Sequence, residues 1–243
     1  MIIDLFRQGL SAQEIVYYLI IFLFALTLSF SLHEFMHAAV AVWLGDPTPK
    51  NMGRLTLNPV AHVDPVGTFL LLLAGFGWGK PVMYNPTNLH RFKSHRLMNI
   101  MVHLAGVTGN FLLALVSNIL FLLFAALQIK FPGAATVLRA LTDAFSYTYA
   151  FSMMLLAFNL LPIPPLNGFH VLEELLPYKV RSSNFYRKFE RFSPYIIWIV
   201  FIASTVSRIS ILGYVINAIE KPFEFIISII CMPLYMLFQM IGL

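Results

Sequence analysis

Two histidines flank a glutamate inside a long apolar run, where residues 32–37 read LHEFMH. On a helix, residues four apart lie on one face, so His33 and His37 can offer their imidazoles to a single ion. Glu34 projects about 100° around the helix from His33, beside the ligand pair. Two neutral nitrogen ligands and a carboxylate that takes up a proton from water are what a zinc hydrolase needs. Because ionisable groups are costly in apolar surroundings, a metal centre is favoured over the alternative, a polar cluster that only satisfies itself.

The composition is that of a polytopic membrane protein. Of the 243 residues, 59% are hydrophobic and 11% are charged, whereas a soluble domain carries about 25% charged residues. The net charge of +5 comes from basic residues in short loops, which indicates orientation in a membrane rather than nucleic-acid binding. The single cysteine, Cys231, permits neither an internal disulfide nor a zinc-finger cluster. The first residues lack the basic region and cleavage site of a removable signal peptide.

The apolar segments predict an all-α fold with about five transmembrane helices. The predicted spans are residues 15–44, 97–127, 138–161, 194–217 and 222–243, the last two separated by a polar break at Glu220 and Lys221. Residues 69–78 are too few to cross a hydrocarbon core of about 30 Å, and residues 53–59 alternate like a strand. Residues 50–85 are therefore predicted to form a re-entrant or β-hairpin segment. The whole chain, 1–243, is expected to be one membrane-embedded domain with a core at 15–172 and additional C-terminal helices at 194–243.

Positive charge predicts how the chain is oriented. The loops at 80–96 and 173–193 hold most of the basic residues, whereas residues 128–139 hold only Lys130 and Arg139. Basic loops are retained in the cytoplasm, so both are expected on that side. The HExxH motif then lies in the cytoplasmic half of the first span.

A catalytic zinc site needs a third protein ligand, which is often a carboxylate. No carboxylate lies between Asp64 and Asp143, or between Asp143 and Glu173. The third span ends instead in residues 159–168, which read NLLPIPPLNG. The prolines stop the helix at membrane depth and free backbone groups beside polar side chains, so this stretch is the second candidate part of the site.

Together these motifs resemble the site-2 protease family of intramembrane zinc metalloproteases, peptidase family M50. HEFMH, GRLTLNPVAHVDPVGT, GWGKPV, the stretch from Ala105 to Asn110 and NLLPIPPLNG follow in the family's order over roughly residues 29–172. The set is most similar to small bacterial members without a PDZ or CBS domain. The resemblance implies Zn²⁺ held by His33 and His37, with Glu34 as general base.

The resemblance also implies what the protein acts on and where. Its substrates would be membrane proteins cleaved within or near their transmembrane helices, in regulated intramembrane proteolysis. It would be a multi-pass protein of the bacterial plasma membrane, with the active site toward the cytoplasm and no nucleic-acid partner. The sequence indicates neither the substrate's identity nor the oligomeric state.

The sequence departs from the family pattern at the third ligand. The family has an aspartate in the motif LDG, whereas residues 166–168 read LNG here. An amide oxygen is a poorer zinc donor than a carboxylate, so zinc retention should be weaker. We expect Asn167 to occupy the ligand position, as a natural variant or an engineered change; an inactive homologue is the third explanation. Asp64 and His170 are the possible substitutes.

Three other polar residues have two interpretations. Asn159 resembles the family's asparagine near the active site, whose amide could donate to a developing oxyanion, but it could also satisfy carbonyls at its own helix end. Asn110 and His103 are expected to be hydrogen-bond partners between helices rather than catalytic groups.

Two other functional classes compete with a protease. One is a catalytically impaired or inactive homologue that binds transmembrane helices without cleaving them, and its zinc content would separate it from an enzyme. The other is a transporter, which is disfavoured because the intramembrane polar groups gather at one depth rather than forming a path.

Overall fold

The computed structural model describes residues 9–74, 77–207 and 211–240, which are mostly helical and contain no strand. Within these ranges the helices are α1 (Ala12–Leu44), α2 (Thr48–Asn51), α3 (Pro59–His62), α4 (Pro65–Ala74), α5 (His95–Lys130), α6 (Ala135–Asn159), α7 (Asn167–Leu175), α8 (Tyr178–Arg181), α9 (Asn184–Ser207) and α10 (Ile211–Met240). The all-α membrane fold predicted from the sequence is confirmed.

Helix α1 carries the HExxH motif and has a clear start and stop. The Ser11 side chain accepts a hydrogen bond from the Glu14 N–H, and the Glu14 carboxylate accepts one from the Ser11 N–H at 2.8 Å. This reciprocal pair satisfies two N–H groups at the start of the helix. Gly45 ends the helix with a φ of 118°, a conformation that favours glycine. At 33 residues α1 is about 50 Å long, and the motif lies in its second half.

Helices α1, α5 and α6 pack together and form the core around the motif. Small side chains line their contacts, and those that are buried include Ala25, Ala38, Ala41, Ala105, Ala114 and Ala157. Two polar contacts join α1 to α6. The Tyr17 hydroxyl donates to Asp143 at 2.7 Å, and the hydroxyls of Ser29 and Ser152 lie 2.9 Å apart. Close approach and interhelical hydrogen bonds are the main sources of attraction between helices in lipid.

The strand predicted at residues 53–59 is wrong. Asn58 instead caps α3 through a hydrogen bond from the Val60 N–H, and Pro59 and Pro65 each open a helix. A proline cannot donate to a β-ladder but suits the first turn of a helix, so these residues favour short helices over a hairpin. The two sides of the segment meet through the Lys80 N–H, which donates to the His62 carbonyl at 2.8 Å.

The break predicted at Glu220 and Lys221 is also wrong. Helix α10 runs without interruption from Ile211 to Met240 and contains Pro222 and Pro233. Prolines are tolerated in membrane helices because neighbouring groups satisfy the carbonyls that they free. Helix α9 begins at Asn184, ten residues before the predicted span, because the charged stretch that precedes the apolar residues is itself helical.

Three helices of the described ranges are long and apolar enough to cross a membrane: α1, α5 and residues 211–238 of α10. The chain is therefore an integral membrane protein. The other two predicted spans correspond to α6 and α9, and their crossing stays a prediction, as does the re-entrant path of residues 50–85.

Candidate metal centre and active-site cavity

Three side-chain atoms from two distant parts of the chain converge on one point. The Nε2 atoms of His33 and His37 lie 3.0 Å apart, and the amide nitrogen of Asn167 lies 3.3 and 3.2 Å from them. Ligands of a tetrahedral zinc ion at about 2.0–2.1 Å from the metal are themselves about 3.3 Å apart. A half-turn of the Asn167 amide would put Oδ1, which can donate a lone pair, where Nδ2 now lies, in exchange for the bond from Nδ2 to the Asn159 Oδ1. The three residues therefore fit a single ion.

Asn167 comes close to the histidines because of the prolines that the sequence analysis singled out. Helix α6 ends at Asn159 and α7 begins at Asn167, so both asparagines border the non-helical link. The Asn159 Oδ1 accepts from the Asn167 amide at 3.3 Å, while the Asn159 Nδ2 donates to the Leu155 carbonyl at 2.9 Å. Asn159 thus satisfies a carbonyl at its helix end and also contacts the candidate ligand.

Helix α5 supports the two histidines at three positions spaced four residues apart. The His37 Nδ1 lies 2.7 Å from the Val102 carbonyl, and the His33 Nδ1 lies 3.1 Å from the Asn110 amide nitrogen. Gly106, midway between them, faces the centre of the site: a Cβ there would contact His37 Nε2 and lie 2.6 Å from His33 Nε2. Only a residue without a side chain leaves room for an ion at this place.

These contacts fix which imidazole nitrogen can bind a metal. A carbonyl can only accept, so the His37 Nδ1 carries the proton and its Nε2 presents a lone pair to the centre. Asn110 is fully buried, and its Oδ1 has no hydrogen-bond partner among the described residues. A half-turn of its amide would let Oδ1 accept from the His33 Nδ1–H, which gives His33 the same tautomer.

Glu34 lies beside the candidate ligands and is 7% exposed. Its Oε2 accepts a hydrogen bond from the Val82 N–H at 2.8 Å. The carboxylate opens onto a cavity of about 230 Å³ that also contains the three converging side chains. The lining comes from α1 (His33, Glu34, His37), from the segment after α4 (Pro81, Val82, Tyr84), from α5 (Val102, His103) and from the α6–α7 region (Asn159, Pro165, Asn167, His170).

The two substitutes considered for the third ligand have other roles. Asp64 accepts a hydrogen bond from the Gly67 N–H at 2.8 Å at the start of α4. His170 lines the cavity, but its ring stacks on His103 with centroids 4.7 Å apart, and its Nδ1 lies 3.5 Å from Glu173. In the described ranges no group of three histidine, cysteine, aspartate or glutamate side chains could hold a metal.

Tyr84 is a cavity residue that the sequence analysis missed. Its hydroxyl lies 3.0 Å from the His103 Nε2, so it bridges the loop and α5. Burial, with smaller contributions from Glu174 and Asp46, raises the pKa of Tyr84 to about 12, and the hydroxyl is therefore neutral. The signal in the sequence was a tyrosine within the polar segment between two apolar spans, and tyrosines of that kind commonly sit at membrane interfaces.

Comparison with known proteins agrees with this site. Residues 21–204 match the family model described as Peptidase family M50. The chain is 42% identical over 158 residues to YwhC of Bacillus subtilis, whose name classes it with the zinc metalloproteases; the match covers 65% of this chain and 70% of YwhC. It is 30% identical over 184 residues to Rip2 of Mycobacterium tuberculosis, named in the same way; that match covers 74% of this chain and 65% of Rip2.

No solved structure gives a significant match. The family model nevertheless covers most of the chain, from the first half of α1 into α9, and so includes all of the cavity residues. The chain belongs to peptidase family M50, as a small metalloprotease of the site-2 protease type.

Proposed function

We propose that this protein is an intramembrane zinc metalloprotease that hydrolyses peptide bonds within or near the transmembrane helices of membrane proteins. The observation that carries the proposal is the convergence of His33, His37 and Asn167 beside Glu34, in one cavity between apolar helices. Hydrolysis at this depth needs an activated water and a base, and these residues suit both tasks.

The residues divide the chemistry between them. His33, His37 and Asn167 would hold zinc, which when bound supplies Lewis-acid chemistry by polarising a carbonyl and lowering the pKa of water. Glu34 takes a proton from the attacking water and passes it to the leaving amine. The Val82 N–H holds the Glu34 carboxylate toward the cavity. Asn159 also lines the cavity, and the second hydrogen of its amide, the one not donated to the Leu155 carbonyl, can be donated to the oxyanion or to the substrate backbone.

A substrate helix must be unwound locally, because its carbonyls are otherwise engaged in its own hydrogen bonds. Residues 81–85, which belong to no helix, suit strand addition, in which an unwound peptide pairs with an exposed backbone edge. Among the described residues, the N–H groups of Met83 and Tyr84 have no hydrogen-bond partner, and the Met83 side chain is exposed. Residues 53–58 are a second candidate edge, but a less suitable one, since the Thr56 carbonyl is engaged by His62 and the Asn58 N–H by Thr56.

The proposed location is a bacterial plasma membrane, with the cavity toward the cytoplasm. The basic residues of segments 80–96 and 173–193 support this orientation. The relatives come from bacteria. The substrates proposed are single-span regulators whose cleavage releases a soluble part.

The base is tested with the matched pair Glu34→Gln and Glu14→Gln, which are the same change on the same helix. The probe is a set of single-span peptides in proteoliposomes, with products identified by mass spectrometry. Glu34→Gln keeps an acceptor for the Val82 N–H but cannot take up a proton, so cleavage should fall by about 10² to 10⁴. Glu14→Gln should cleave like the wild type, because glutamine can also complete the capping box. Equal cleavage by all three proteins would remove Glu34 as the base.

A second candidate function is a catalytically impaired helix-binding protein, and Asn167 is the observation that favours it. The change Asn167→Asp separates the two possibilities. If Asn167 occupies the ligand position, a carboxylate there should raise zinc retention against a chelator and raise cleavage as well. Two results together would identify the impaired form. The wild-type protein would bind the peptides but hold no zinc and cleave none of them, and Asn167→Asp would both hold zinc and cleave the peptides. Unchanged zinc retention in Asn167→Asp would remove residue 167 from the ligand set.

A further inference from the structure

Asp46 is a buried carboxylate to which the catalytic arrangement above assigns no role. It lies two residues beyond the end of α1 and is 0% exposed. Burial raises its pKa, but hydrogen bonds from Thr48, Asn88 and Asn85 outweigh that effect and hold the pKa of Asp46 below its ordinary value. The side chain is therefore a charged acceptor at neutral pH, and such charge-assisted bonds are stronger than neutral ones.

The two oxygens of Asp46 have different partners. Oδ1 accepts from the Thr48 N–H at 3.1 Å, from the Thr48 hydroxyl at 2.6 Å and from the Asn88 side chain at 2.8 Å. Oδ2 accepts a single bond, from the Asn85 N–H at 2.6 Å. Oδ1 thus orders the turn after α1 and also holds the Asn88 side chain, whereas Oδ2 alone holds the backbone at Asn85.

The segment held by Oδ2 is the one that contacts Glu34. Val82, whose N–H donates to the Glu34 carboxylate at 2.8 Å, lies three residues before Asn85. Tyr84, between them, packs with its ring against the buried cluster that includes Ala41 and Leu44. The four residues 82–85 are thus held at both ends, at one by Glu34 on α1 and at the other by Asp46 just beyond the end of α1.

A separate clamp holds the chain farther along. The N–H groups of His90 and Arg91 both lie within hydrogen-bond distance of the Leu44 carbonyl, at 3.1 and 3.2 Å. The Arg91 guanidinium also lies over the Trp43 ring, 4.5 Å from its centroid. This clamp would keep residues 88–91 on α1 without Asp46. Loss of the bond from Asn85 should therefore change the position of residues 82–85 specifically.

We propose that Asp46 is a positioning residue for Glu34. Its Oδ2 fixes residues 82–85 on α1, so that the Val82 N–H meets the Glu34 carboxylate and holds it in one orientation toward the cavity. Asp46 touches neither the substrate nor the reacting atoms and acts through the backbone. The inference rests on the proposed function, in which Glu34 is the base.

The change Asp46→Asn breaks this link selectively. The remaining carbonyl oxygen can still serve Thr48 and Asn88, whereas the new NH₂ group would face the Asn85 N–H, donor against donor. A base displaced by about 1 Å can cost about a hundredfold in rate, so we expect kcat to fall 10- to 100-fold. Zinc content should be unchanged, because none of the three candidate ligands depends on this bond; KM is measured separately from kcat, because residues 82–85 also belong to the proposed substrate edge. The control Thr48→Val removes only a bond to Oδ1 and should leave kcat within about twofold.

A double-mutant cycle distinguishes positioning from general loosening. Val82→Pro removes the N–H that contacts Glu34; if Asp46 acts through it, Asp46→Asn adds less than about threefold to the loss already caused by Val82→Pro. Hydrogen exchange at residues 82–85 should also accelerate in Asp46→Asn and not in Thr48→Val. All kinetics use a peptide that the reconstituted wild-type protein cleaves.

Three results would overturn the inference: wild-type kcat in Asp46→Asn, fully multiplicative losses in the cycle, or equal losses in Asp46→Asn and Thr48→Val. A failure of the proposed function is recognised separately, by undiminished cleavage in Glu34→Gln. Loss of cleavage in Glu34→Gln with wild-type kcat in Asp46→Asn would reject the positioning role alone.

Discussion

Two cavities of similar size lie against helix α1, and their linings differ. The catalytic cavity, of about 230 Å³, is lined by imidazoles, amides and a carboxylate. The other, of about 250 Å³, is lined almost entirely by apolar side chains from α1, α4, α6 and α10, including Leu23, Leu26, Phe30, Leu71, Phe151 and Ile216. Ser31 borders the apolar cavity and His33 borders the catalytic one. The surroundings of α1 therefore change from apolar to polar within two residues.

The difference shows how one helix can serve two purposes. Two residues advance about 200° around a helix, so Ser31 and His33 face nearly opposite directions. On the catalytic side α5 places glycine, asparagine and a backbone carbonyl against the histidines, whereas the other cavity is lined mainly by apolar side chains. Changes on the catalytic side should therefore alter zinc retention and kcat, whereas changes on the apolar side should alter packing.

The largest effect is expected for Gly106→Ala. A methyl group there would contact both His33 and His37 where an ion would lie, and α5 cannot move away without losing its contacts to both rings. Zinc retention and cleavage should each fall by about a hundredfold or more, as is common when the immediate support of a metal site is lost. Zinc retention is measured by competition with a chelator.

Gly109→Ala is the matched control for this change. Its added methyl would lie 2.6 Å from Met36 Cγ, so the two helices must adjust there as well, but the methyl faces no imidazole, and zinc retention should stay close to that of the wild type. Wild-type zinc retention in Gly106→Ala would show that the ion does not lie between the two imidazoles.

A smaller effect is expected for Asn110→Leu, which keeps the volume but removes the partner of the His33 Nδ1. Residues that orient a ligating histidine typically contribute about 10- to 100-fold to metal affinity. Asn110→Asp should retain zinc at least as well as the wild type, because a carboxylate accepts from Nδ1–H in any rotamer. Equal affinities in all three proteins would contradict the role assigned to the Asn110 oxygen.

On the apolar side, Leu26→Trp should have a modest effect. The larger ring would fill part of the apolar cavity without reaching the catalytic residues. We expect kcat to change by less than about threefold, and zinc content to stay the same, since the sites are separate. A tenfold loss of cleavage with full zinc content would instead make the apolar cavity part of the substrate's path.

The smallest effect is expected for Tyr17→Phe, at the far end of α1. The change removes the hydrogen bond to Asp143 and leaves the ring in place. The free energy of unfolding should fall by about 1 kcal/mol, with no change in kcat. Thermal unfolding in detergent measures the loss, and a drop in kcat at unchanged stability would show that this end of α1 communicates with the cavity.

The local parts of the site could be predicted from the sequence. The spacing of His33 and His37 places them on one face of any helix, and the prolines after Asn159 mark where α6 must end. The suggestion that Asn167 lies beside the histidines came from resemblance to a family, because nothing local brings residue 167 to residue 33. Its role as a ligand stays a prediction.

The parts that the sequence did not predict depend on contacts between distant residues. In the sequence, Asp46 can only be recognised as part of a turn that ends a helix. Its bonds to Asn85 and Asn88 depend on the tertiary fold, which brings the segment after α4 back to the end of α1. The sequence places Gly106 only within the stretch from Ala105 to Asn110, and the structure shows that a pair of imidazoles lies against it. The predicted strand failed because alternation over seven residues is weaker than the prolines that interrupt it.

The central claim, that His33, His37 and Asn167 hold one zinc ion, is tested most directly by the zinc content of the purified protein beside that of His37→Ala. The account predicts about one ion per chain in the wild type and less than about a tenth of that in the variant, since two remaining ligands cannot complete the site. Equal zinc in both proteins, or none in the wild type, would contradict it.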